Sequence, residues 1–181
     1  MPSRPDADRL ALLRLARSAV VEAVVNRRQL ADIPANTAFA ERRGVFVTLH
    51  STGRLRGCIG ILEGKEPLGE LIARCAASAA LEDPRFSPVN AEELPSLRIE
   101  LSILSPLAPL RPEDLVIGQH GIVIVNEARK GVLLPQVAVE HRLSAEQFLA
   151  ETCGKAGLPQ EAWRDRKTQI FGFTTEILAE E

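Results

Sequence analysis

The chain has 181 residues, 45% of them hydrophobic, with a net charge of −2 and an isoelectric point near 6.0. Such a length suits one domain with a real core, removing roughly 70% of the unfolded surface on folding. The charge argues against a sequence-independent nucleic-acid binder, which carries a basic excess, and aromatics at 4% with no tyrosine leave little for a base-stacking platform.

In chain order, residues 1–7 read as a flexible tail and 8–181 as a single domain. The opening Met1 to Asp6 lacks the hydrophobic core of a signal peptide, and no run of about 18 apolar residues occurs, so a cytoplasmic protein without a membrane span is expected. From Asp8 to Gln29, Leu10, Leu13, Val20 and Val24 recur with alanines at helical spacing, predicting a long amphipathic helix with Arg27-Arg28 at its C-terminal dipole. Residues 31–44 read as a loop. Strands are predicted near 45–50 and 54–61, joined at Ser51-Thr52-Gly53. A two- or four-residue turn sets Cys58 opposite Val47 and Arg56 opposite Leu49. A three-residue turn sets Cys58 opposite Thr48 and Arg56 opposite His50, making one polar face.

Pro67 suits the first turn of a helix over about 67–81, whose stripe of Leu68, Leu71, Ile72, Cys75 and Ala79 puts Cys75 in the core. Asp83-Pro84 stops it, because the residue before proline avoids the helical region. Leu97, Ile99, Leu101 and Ile103 alternate with Arg98, Glu100 and Ser102, predicting a half-buried strand. Short strands are expected at 116–117 and 122–125, and another over 132–139, where Pro135 implies an edge or a bulge. Ser144 and Gln147 form a capping box for a helix ending near Lys155, which turns Cys153 inward. Over 168–178, Phe171, Phe173, Thr175 and Ile177 share one face of an alternating run. Hairpins with helices in irregular order predict α+β, with a largely antiparallel sheet and packed helices.

The three cysteines, Cys58, Cys75 and Cys153, form no Cys-x-x-Cys pair, and no His-x-x-x-His occurs, which argues against a disulfide framework or a structural zinc site. No phosphate-binding glycine loop is present, so no metal and no cofactor are expected. The most concentrated chemistry is Arg54-Leu55-Arg56-Gly57-Cys58-Ile59-Gly60. Glycines in a strand mark a bulge or a close backbone approach. A thiol between them, two residues after an arginine, has the ingredients of a reactive cysteine; the alternative is a small buried hydrophobe. His50, His120 and His141 are the possible bases, and Glu100 is the leading carboxylate because a mid-strand charge must face solvent, a partner or a cleft.

Leu55-Arg56-Gly57-Cys58-Ile59-Gly60 resembles the signature of the AMMECR family, whose bacterial members are called protein A of the AmmeMemoRadiSam system. Pro67-Leu68, Asp83-Pro84-Arg85-Phe86, Ile99 to Leu104, Gly118 to Gly121, Leu133 to Val137 and Lys155 to Leu158 resemble further family blocks, in the family's order. The likeness spans roughly 8–178. It implies an α+β fold with two lobes in one compact AMMECR-like domain. It further implies that Arg56, Asp83, Arg85 and Gln136 gather around one cleft with Cys58 and Glu100, and that Gly57, Ile59 and Gly60 belong to the same binding surface. The function it implies is a component of a modification pathway acting with Memo-like and radical SAM partners. A non-catalytic interaction module and a stand-alone cysteine-dependent enzyme are the alternatives.

Overall fold

The computed structural model describes residues 4–180. The chain divides into two compact units, residues 4–104 with 176–180, and residues 105–175. In the first, α1 (Asp6–Asn26) is followed by the hairpin β1 (Val45–Ser51) and β2 (Arg54–Ile61), α2 (Leu68–Leu81), β3 (Leu97–Leu104) and, at the C-terminus, β8 (Thr175–Ala179). The sheet order is β2-β1-β3-β8, so β2 lies at an edge. Strict alternation drives the layering: Val45, Val47 and Leu49 of β1 and Leu97, Ile99, Leu101 and Ile103 of β3 are buried against the helices, each such burial contributing about 1.5–3 kcal/mol. Phe46, Thr48 and His50, with Arg98, Glu100 and Ser102, take the other face. α2 packs between α1 and β1–β2. Its alanines at 73, 76, 77, 79 and 80 are all buried, as are Ala16, Ala19 and Ala23 of α1.

The flexible tail expected over 1–7 is corrected in its described part. Asp6 already lies in α1, and the Arg4 guanidinium, with its side chain only 7% exposed, is held by Glu41 and Glu176. Residues 1–3 lie outside the described residues. α1 ends earlier than expected, at Asn26, where Arg27 takes a left-handed φ of 54° and closes the helix, while Arg28 turns back to Glu22.

The hairpin combines the two expected registers. Thr52 and Gly53 both have positive φ (50° and 76°), the geometry of a two-residue turn matched to strand twist. His50 therefore opposes Leu55. A bulge then intervenes between Leu49 and His50, so that Leu49 opposes Gly57 and Thr48 opposes Cys58. Arg56 is the extra residue and opposes neither Leu49 nor His50.

The second unit holds a sheet of order β4-β7-β5-β6, built from β4 (Ala108–Pro109), β5 (Gly121–Asn126), β6 (Arg129–Leu133) and β7 (Gln169–Phe173). α3 (Pro135–Glu140) packs on β5, and α4 (Ala145–Lys155) covers β5 and β6 with Phe148, Leu149 and Cys153. The capping box of Ser144 and Gln147 forms as expected. Three expectations are corrected here. Residues 116–117 are a turn, whose Val116 carbonyl accepts from the Gln119 and His120 amides. The strand expected over 132–139 stops at Leu133, because Pro135, which has no N–H to lose, occupies the first turn of α3. The alternation over 168–178 is shared by β7 and β8, which belong to different sheets.

Close approach of helix to strand is the packing rule of both units. A Cβ on Gly57 would strike the Ala79 carbonyl oxygen of α2, and one on Gly131 of β6 would strike the Thr152 carbonyl of α4. Gly154, by contrast, has open space around the position a Cβ would take. Gly57→Ala is expected to lower stability by about 1–3 kcal/mol, since backbone must move to admit the methyl group. Gly154→Ala should raise it by up to about 1 kcal/mol through helix propensity. Paired urea melts check both signs.

Candidate functional site

An edge strand presents unpaired N–H and C=O groups. At Cys58 the segment just beyond α2 satisfies them. The Cys58 amide donates to Asp83 Oδ2 at 2.8 Å, and its carbonyl accepts from Arg85 Nη2 at 3.4 Å. Asp83 and Arg85 thus stand in for a neighbouring strand. They are joined by a bidentate pair, Nε to Oδ1 at 2.9 Å and Nη2 to Oδ2 at 2.7 Å, and Oδ1 also accepts from the Arg85 amide. Asp83 is buried, its side chain 2% exposed, whereas that of Arg85 is 54% exposed. The guanidinium beside it, with the two amides, holds the Asp83 carboxyl well below the usual carboxylate range against the cost of burial.

Arg56 is engaged elsewhere. Its Nε and Nη2 bind Glu93 Oε1 and Oε2 at 2.7 and 3.1 Å, and Nη1 donates to the Ser87 carbonyl at 2.9 Å. Glu93 in turn accepts from the Asn90 amide in a capping box, and it is held below the usual range first by Arg56 and then by that amide. Arg56 therefore pins the 87–93 segment to the bulge, in place of the expected role as the thiol's counter-cation. The remaining signature residues also serve the backbone: Gly57 admits α2, Ile59 packs on the core, and Gly60 lies against the Phe46 ring.

With Arg56 taken up, the thiol's neighbours lie across the sheet. Thr48 opposes Cys58 on one side and Glu100 on the other, so the three form a row on one face. The outward-facing Cys58 amide and carbonyl mark Thr48–Cys58 as a non-hydrogen-bonded pair, in which side chains come closest. Thr48 Oγ1 accordingly donates to Cys58 Sγ at 3.4 Å. His50 stands one place along the same face, opposite Arg98. Cys58, Thr48, His50 and Glu100 are all half-buried. The row can present a nucleophile with a carboxylate and an imidazole in the same neighbourhood.

The other candidates fall as follows. Gln136 belongs to the second unit, in the first turn of α3 rather than on a strand edge. His120 accepts the Val116 amide through Nδ1 at 3.1 Å, and His141 is exposed after α3. Cys75 and Cys153 are buried as expected; burial pushes the Cys75 thiol up to about 11 and raises that of Cys153. Among the described residues, no three His, Cys, Asp or Glu side chains converge on a point that could hold a metal ion, and no helix is long and apolar enough to cross a membrane. Glu93 and Ser87, which fix Arg56, were missed by sequence reasoning. Asn90-x-x-Glu93 carried the capping-box signal, but nothing in the sequence pointed to Arg56 as a second partner.

A family model described as AMMECR1 matches residues 13–178. The chain belongs to the AMMECR1 family. It is 43% identical to a protein of Thermococcus gammatolerans, covering 94% of this chain and 89% of the relative. It is 41% identical to a protein of Methanothermobacter thermautotrophicus, covering 94% and 93%. The crystal structure of PH0010 from Pyrococcus horikoshii matches with a TM-score of 0.90 at 38% identity, over 98% of this chain and 93% of that one. The α+β fold is therefore that of AMMECR1-family proteins.

Because Asp83 is held below its unfolded value, its contribution to stability is complete above the ordinary aspartate range near pH 4 and is lost as the pH falls below it. Asp83→Asn should cost about 2–3 kcal/mol at pH 7, the cost of a weakened cap on the Cys58 amide and a half-exposed Arg85 left without its partner. It should also flatten the fall in stability between about pH 4 and pH 2. Denaturant melts of both proteins across that range measure the two effects.

Proposed function

We propose that this AMMECR1-family protein is a component of a modification pathway, acting with Memo-like and radical SAM partners in the reducing cytoplasm. Its working surface is the sheet face that carries Cys58. The observation that supports this is the row of Cys58, Thr48 and Glu100, with the Thr48 hydroxyl aimed at the sulfur and the Cys58 backbone held from behind by Asp83. A fixed backbone at a half-buried cysteine is what a thiol needs to meet a substrate in one orientation. Four of the five residues of Arg56 to Gly60 serve the architecture, which favours a second reading: a non-catalytic interaction module whose signature hairpin docks a partner.

Alkylation of the native protein across pH 6–9, read at each cysteine by mass spectrometry, separates the two. The pathway reading expects Cys58 to label at least about tenfold faster than Cys75 and Cys153, and Glu100→Gln to change its rate without lowering the melting temperature. Equal protection of all three thiols until unfolding would leave the interaction module.

A further inference from the structure

Most of the charged side chains around the signature face are engaged by neighbours within the protein. Arg56 is held by Glu93 and the Ser87 carbonyl, and Arg85 by Asp83. Arg98, which flanks Glu100 on β3, turns its guanidinium to the carbonyls of Pro95 and Leu97. The Thr48 hydroxyl next to Glu100 donates its hydrogen bond to Cys58 Sγ. Among the described residues, the half-buried Glu100 carboxylate makes neither a hydrogen bond nor an ion pair, and His50, diagonal to it on β1, makes none through its side chain. A half-buried carboxyl with no internal donor keeps its acceptor capacity open to a cationic donor from outside.

We propose that Glu100 is the anchor of an organic-cation subsite: the group delivered to the Cys58 face carries an alkylguanidinium or alkylammonium, as on an arginine or lysine side chain or a small amine. The proposal rests on the reading that this face is the working surface, and it names the chemistry that the surface receives. The cation is bound by charge-assisted hydrogen bonds to the Glu100 oxygens, bidentate for a guanidinium. Thr48 of the intervening strand lies between Glu100 and Cys58, so Glu100 stands two strand spacings, roughly 10 Å, from Cys58. An anionic group, whether phosphate or carboxylate, meets repulsion there.

The test is a titration of the isotopically labelled protein with agmatine at low ionic strength, followed through the backbone amide shifts of Thr48, Cys58 and Glu100. Saturable shifts confined to this face are expected. They should weaken by at least about tenfold in Glu100→Gln, the loss of one charge-assisted bond, and be partly restored in Glu100→Asp. They should persist in Cys58→Ser. Inorganic phosphate should move none of the three. Absence of saturable shifts, shifts unchanged in both Glu100 variants, or a response to phosphate in place of agmatine would overturn the subsite. Agmatine binding together with an unreactive Cys58 would refute the thiol chemistry and leave the subsite standing; a reactive Cys58 with no agmatine binding would do the reverse.

Discussion

The first unit depends on how deeply α2 settles onto β2. The Ala79 carbonyl occupies the place of a side chain at position 57, and only glycine permits that depth. The rest follows along the chain. α2 ends at Leu81, and two residues on, Asp83 stands level with the Cys58 amide. Raise the helix by the thickness of a methyl group and the carboxylate no longer meets the strand edge. The stripe of alanines on α1 and α2 answers the same demand on the helix's other side, because large side chains there would lift α2 from the sheet. Glycine in the strand and alanine in the helices thus form one adaptation.

The bulge gives the signature its order. Without it, the two-residue turn would send Cys58 to the core face opposite Val47, and Gly57 to the open face. One inserted residue exchanges them, so that the small residue meets the helix and the thiol meets the open face. Arg56 is the residue left over, and its bidentate hold on Glu93 fixes the irregularity in position. Position by position, the signature alternates between building the sheet and presenting the sulfur.

Legibility in the sequence followed the range of the forces. The faces of β1 and β3 and the Ser144 capping box were readable, because alternation and caps are local. The hairpin register was not, since it depends on both a turn and a bulge, and each alone gives a different answer. Pro135 suits either a strand edge or a first helical turn, and only packing on β5 decides. The step from β7 to β8 was invisible, because period-two alternation continues through Thr174 while the partner sheet changes. The link from Arg56 to Glu93 spans 37 positions, and no pattern in the sequence joins them.

The last strand has a consequence for how the chain must be made. β8 completes the first sheet, and Glu180 closes it: its carboxylate accepts the Ile99 amide and pairs with Arg17 of α1, while the Glu180 amide donates to the Ile99 carbonyl. The second unit is therefore an insertion between two neighbouring strands, β3 and β8, of the first. On a ribosome, residues 105–175 emerge whole while the first sheet still lacks its last strand. The inserted unit has all its strands in hand and folds as a nested body, whereas the β3 edge stays open until β8 clears the exit tunnel. The first unit, though most of it precedes the second in sequence, is finished after it.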